Sequence, residues 1–117
     1  MIAGALSGVC EALTYARAKG LDLQVLLVSV STGAAGSRQL DTFGPKILAE
    51  DYAPGFFMKH FIKDMKLALT EANMSGLSLD VLSQALANYE ELAAEGYGDL
   101  GTQALMKYYE ETVCEEE

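Results

Sequence analysis

Three lysines, Lys59, Lys63 and Lys66, recur at spacings of four and three within the stretch from Asp51 to Thr70. On a helix they form one stripe, about 100° round the axis from an apolar stripe of Met58, Ile62, Met65, Leu69 and Ala72. Like charges at these spacings repel by about a few tenths of a kcal/mol per pair. None of the three has an Asp or Glu three or four positions away. The stripe holds three of the eight basic residues in a chain of formal net charge −9, so it calls for an anionic partner from outside its own helix. Two partners fit: a carboxylate elsewhere in the fold, with seventeen Asp and Glu available, or a bound anionic ligand.

Other reactive chemistry is sparse. His60 is the only histidine and stands four residues before Asp64, which predicts an i,i+4 contact between them. Ser29, Ser31, Ser37 and Ser75 fall where loops and helix caps are expected, and no nucleophile and base can be paired. One histidine with Cys10 and Cys114 makes neither a metal cluster nor a disulfide framework. The spacings of Phe56, Phe57, Phe61, Tyr89, Tyr108 and Tyr109 are those of core aromatics. Gly96, Gly98 and Gly101 spell G-x-G-x-x-G, but a dinucleotide turn must follow a strand and open the helix of a βαβ unit. Here the motif follows a helical pattern with little chain beyond it, so a flexible loop between two helices is expected.

A chain of 117 residues forms one domain that buries roughly two-thirds of the surface its unfolded chain exposes. Half the residues are apolar and 21% charged, which excludes disorder. The acidic balance disfavours nucleic acid, because phosphates reward concentrated positive charge. The longest apolar run, Val25 to Val30, is interrupted by Ser29 and falls far short of the ~20 residues of a membrane span. No basic, apolar and small-residue leader opens the chain, and a cytoplasmic location is expected.

The periodicities predict six helices and no strand. The first starts at Ile2 with no capping residue ahead of it, buries Ile2, Leu6, Val9, Leu13 and Ala16, and ends at Gly20. Asp22 caps a second helix, LQVLLVSVS, apolar on most sides and so expected at the centre of the core. Ser37 caps a third, reaching about Ala49, which Gly44-Pro45 should kink or split. The lysine-striped fourth helix stops at Ser75-Gly76. Ser78 caps a fifth, with Leu79, Leu82, Leu86, Tyr89 and Ala93 inward; Thr102 caps a sixth carrying Leu105, Met106, Tyr109 and Val113. Glu115, Glu116 and Glu117 read as a solvated tail.

Several short motifs occur in a telling order: Glu11-Ala12, Ala16 and Gly20-Leu21-Asp22; Ala53-Pro54-Gly55-Phe56; Lys63-Asp64 with Leu67-Ala68; and Gly96-Tyr97-Gly98-Asp99. Together they resemble the C-terminal helical domain of the β-hydroxyacid dehydrogenases, the group containing 3-hydroxyisobutyrate dehydrogenase and tartronate semialdehyde reductase. The resemblance covers essentially residues 1–117. It implies an all-α bundle of the 6-phosphogluconate-dehydrogenase-like C-terminal type, which closes a cleft against a Rossmann domain and forms the homodimer of an NAD- or NADP-dependent enzyme. The family's lysine in the K-D-x-x-x-A motif falls on Lys63 and implies a cofactor contact, with Asp64, Phe56 and Lys66 as cleft candidates. Lys59 and Lys107 are expected to tolerate alanine. No residue matches the family's catalytic-lysine motif, which implies that the chain starts just after it, binds no cofactor by itself and is inactive alone. Thr70 and Gly101 stand where many members carry Asp, which leaves the substrate open between hydroxyacids and the imines of related reductases. The alternative is a stand-alone helical interaction module.

Overall fold

The computed structural model describes residues 1–116, with side chains through Glu111. The expectations for Val113, Cys114 and the Glu115–Glu117 tail therefore fall on side chains outside the described residues. Six α-helices make up the fold: α1 (Ile2–Ala18), α2 (Leu23–Ser31), α3 (Arg38–Leu48), α4 (Met58–Met74), α5 (Asp80–Leu92) and α6 (Met106–Glu116). A π-helical turn, Ala93–Tyr97, ends α5, and a 3₁₀ turn, Thr102–Leu105, leads into α6. The described residues contain no strand, only an isolated bridge between Phe57 and Gly101.

The first helix is the axis of the core. Its spacing of small and apolar residues buries Ala3, Leu6, Val9, Cys10, Leu13 and Ala16 along one face, packed against α3, α5 and α6. Leu6, Leu13, Ile47, Met58, Tyr89, Leu92, Leu105 and Met106 are almost wholly enclosed, which gives a single core of helix-on-helix layers. Gly20 (φ 74°) ends α1 by placing the Leu21 N–H on the Ala16 carbonyl at 3.0 Å. Gly76 (φ 74°) ends α4 in the same way through Leu77 and Ala72. Asp22 caps α2, its carboxylate accepting from the Gln24 and Val25 amides at 3.0 and 3.2 Å, and the Ser37 hydroxyl accepts from the Leu40 amide at 3.0 Å to cap α3.

The structure corrects several expectations. Only Leu27 of α2 is buried, while Val25 and Val28 are 59% and 75% exposed. The helix lies at the edge of the bundle, because α1 already occupies the centre. Gly44-Pro45 does not split α3. Pro45 faces outward, so the Asp41 carbonyl left without its amide partner lies on the exposed side. Gly44 faces inward, where a Cβ would sit 3.0 Å from Leu27 Cδ2, so its bareness lets α2 approach. Ser78 and Thr102 cap nothing. Helix α5 starts at Asp80 with Leu79 before it, Asp80 placing a carboxylate against the positive end of the helix. The inward face of α5 is Ala85, Leu86, Asn88, Tyr89 and Leu92, with Leu79 exposed. Ile2 is likewise half exposed.

Thr102 is instead a buried acceptor. Its backbone carbonyl takes a 2.8 Å hydrogen bond from the Tyr89 hydroxyl, which ties α5 to the 3₁₀ turn in the centre of the core. Tyr89→Phe deletes this buried hydrogen bond and is expected to cost about 0.5–1.5 kcal/mol of folding free energy. Denaturant titration should show a lower midpoint with an unchanged slope; an unchanged midpoint would contradict the bond's role.

Candidate functional site

The site is built where the chain enters α4. Phe57 stands at the N-cap and offers no side-chain acceptor, so the first amides of α4 need partners from elsewhere. They find them in the glycine loop: the Met58 N–H donates to the Leu100 carbonyl at 2.8 Å and the Lys59 N–H to the Gly98 carbonyl at 3.0 Å. The segment before α4 is stitched to the same loop. Gly101 N–H donates to the Tyr52 carbonyl at 2.8 Å, and the buried Gln103 amide donates to the Asp51 and Ala53 carbonyls at 3.0 Å each.

The loop is therefore pinned, not free, and it is no phosphate cradle. Its Leu100 and Gly101 amides are taken by the Tyr97 and Tyr52 carbonyls, and its Asp99 carboxylate would repel a phosphate. Gly101, where the resemblance expects an acid, is buried, and a Cβ there would run into the Gln103 side chain and lie 3.0 Å from the Ala53 carbonyl oxygen.

The lysine stripe divides. Lys59 pairs with Asp99 at 2.6 Å and Lys66 with Glu90 of α5 at 3.6 Å, so the bland reading, a carboxylate within the fold, holds for these two. Both pairs are exposed and contribute little to stability. Lys63, between them, is exposed and has no ion pair among the described residues. The expected contact of His60 with Asp64 is not formed. The imidazole meets Phe57 edge-on at 5.6 Å and Phe56 at 6.3 Å. Phe56 and Phe57 are 46% and 37% exposed, not core residues, and with His60 they make an aromatic rim beside the stripe. Asp64 lines an open groove of about 350 Å³ with Met1, Ile2, Phe61, Met65 and Ala68. Thr70 turns its hydroxyl back to the Lys66 carbonyl at 2.9 Å and contributes nothing to that groove.

No nucleophile emerges among the described residues. Burial, with Glu110 and Glu11 adding to it, pushes the Cys10 thiol up to about 12, so it stays protonated. Among the described residues no group of His, Cys, Asp and Glu could hold a metal ion, and no helix is long and apolar enough to cross a membrane. Lys107, expected to tolerate alanine as an exposed residue, is half-buried with its ammonium over the rings of Tyr52 and Tyr97. Sequence periodicity held no signal for it, because its two partners come from separate segments of the chain.

The family model for the NAD-binding domain of NADP-dependent 3-hydroxyisobutyrate dehydrogenase matches residues 1–109. The chain belongs to this family. A probable 3-hydroxyisobutyrate dehydrogenase-like protein of Arabidopsis thaliana is 47% identical over 105 residues, covering 90% of this chain and 31% of that protein. An uncharacterised oxidoreductase of Bacillus subtilis is 44% identical over 108 residues, covering 92% of this chain and 38% of that one. The solved 3-hydroxyisobutyrate dehydrogenase of Salmonella typhimurium superposes with a TM-score of 0.83 at 26% identity, covering 90% of this chain and 37% of that one. This 3-hydroxyisobutyrate dehydrogenase-family chain thus spans about a third of the length of the relatives it matches.

The Lys59–Asp99 pair generates a titration test. The hydrogen bond from Lys59, then its charge, holds the Asp99 carboxyl below the ordinary aspartate value. A depressed folded-state value means that any stability from the pair is present above the ordinary carboxylate range and is lost as pH falls through the lowered one. Carbon-detected NMR titration should find Asp99 titrating below the ordinary aspartate value, and Lys59→Met should return it to that value.

Proposed function

We propose that this chain is the cleft-closing, dimer-forming helical domain of an NAD(P)-dependent oxidoreductase acting on a small β-hydroxyacid, and that it is inactive alone. Hydride transfer needs a nicotinamide held against the substrate and an acid/base group for the hydroxyl proton. Among the described residues the glycine loop makes no nucleotide-binding turn, and no residue matches the family's catalytic-lysine motif. What they offer is a binding edge. One observation carries the reading: of three lysines on one face, Lys63 alone keeps an ammonium without a carboxylate partner among the described residues, beside the aromatic rim of Phe56, Phe57 and His60. A flexible ammonium there suits a ribose hydroxyl, a phosphate or a substrate carboxylate presented across a cleft. Asp64, in the adjoining groove, and Phe56 and Lys66 border the same approach.

The cofactor, when bound, supplies the hydride chemistry; this chain's part is to fix one edge of it and to help exclude water. In a chimera where residues 1–109 replace the matching segment of the Arabidopsis relative, Lys63→Ala should raise the cofactor or substrate KM roughly ten- to hundredfold, the worth of a charge-assisted hydrogen bond. Lys19→Ala, at the end of α1, controls for lost positive charge and should stay within about twofold. Equal effects from the two would reduce Lys63 to part of a solvated face.

The exposed side of α2 supports self-association. Its nine residues carry no charge in a chain of net charge −9, and Val25 and Val28 stand more than half exposed on it. Two copies could meet there without opposing like charges, in the isologous arrangement of a closed dimer. Sedimentation should find a dimer, and Val28→Lys should weaken it about tenfold or more by placing an unpaired charge in the contact; a monomer in both proteins would exclude this face.

A further inference from the structure

We propose that Lys107 is a positioning residue: its ammonium, held between the faces of Tyr52 and Tyr97, clamps the glycine turn onto the segment that leads into α4. The Lys107 Nζ lies 4.7 Å from the Tyr52 ring centroid and 5.1 Å from that of Tyr97, both within cation–π range. The two rings belong to different strands of chain. Tyr52 precedes α4, and Tyr97 closes the π-helical turn that opens the Gly98–Gly101 loop.

The Tyr52 ring is not fixed from its polar end. The Tyr52 hydroxyl is buried with no hydrogen-bond partner among the described residues, and burial keeps that phenol neutral by pushing it up to about 12. Its ring therefore presents an intact aromatic face to the ammonium, and the cation is the element that joins it to Tyr97. Two of the backbone bonds at the start of α4 come from the loop so held, Gly98 and Leu100 accepting from Lys59 and Met58, and the loop is itself tied to Tyr52, whose carbonyl accepts from Gly101. Asp99, the partner of Lys59, rides on the same loop. The clamp thus sets the register of the first turn of α4, one turn before Lys63. Only this last step rests on the proposed function; the clamp itself is a property of the purified chain.

Lys107→Met keeps an apolar stem of similar length and removes the charge. In native-state hydrogen exchange by NMR, the amides of Met58, Lys59 and Gly101 should exchange roughly three- to thirtyfold faster, the range spanned by a cation–π contact. The amides of Leu6 to Leu13 in α1 should not change. Lys107→Arg should restore slow exchange, and Tyr97→Leu, which removes one wall and leaves the lysine, should reproduce the local loss. In the unaltered protein the ε-methylene protons of Lys107 should lie upfield under the two ring currents. Unchanged rates at the three amides in both Lys107→Met and Tyr97→Leu overturn the proposal. So does equal acceleration throughout α1, which would make Lys107 a general stabiliser. Neither result bears on Lys63, whose role is read from KM in the chimera.

Discussion

The entrance of α4 depends on hydrogen bonds that its own sequence does not supply. A helix beginning at Met58 exposes unpaired amides and a positive dipole end, and it has Phe57 where a capping oxygen would stand and Lys59 in its first turn. Both features oppose helix initiation there. The Gly98 and Leu100 carbonyls satisfy two of the amides, and Asp99 brings a carboxylate to Lys59 and to the same positive end. A segment some forty residues away in sequence thereby fixes where the lysine-bearing helix starts. The loop is held in turn by Tyr52, Gln103 and Lys107.

That arrangement gives three similar lysines three different environments. Lys59 is drawn to the loop and Lys66 to α5, so the charge of the stripe is answered at both ends. Lys63 is left between them with no ion pair among the described residues, beside exposed aromatics. A net charge of −9 makes an unanswered cation in this chain more informative than it would be in a basic one. The family membership adds context to this asymmetry, since the relatives with which the chain aligns carry about two-thirds of their length outside the match.

The bundle hides its apolar surface unevenly. Helix α1 is sealed on its core face by α3, α5 and α6, whereas α2 rests on α3 through Leu27 and the bare Gly44 and leaves Val25 and Val28 outside. An apolar groove of about 350 Å³ runs between α1 and α2, past Gly4, Gly8 and Ala12 on one side and Leu26 and Val30 on the other. Composition alone made α2 look like the most buried helix. Hydrophobicity measures what a helix would gain from cover, and only packing decides whether cover is there.

Local chemistry was legible in the sequence wherever its partners lie within a few residues. The six helices, the caps at Asp22 and Ser37, the glycine stops at Gly20 and Gly76, and the inward face of α4 follow from propensity, capping geometry and 3.6-residue periodicity. The motifs that mark the family are of the same kind, short and ordered along the chain. The division of the lysine stripe, the pinning of the glycine loop, the placing of the Lys107 ammonium over Tyr52 and Tyr97 and the exposure of α2 were decided only by the tertiary structure. Each depends on groups brought together from distant segments, and pairing across such distances is set by how the helices pack, which no local pattern encodes.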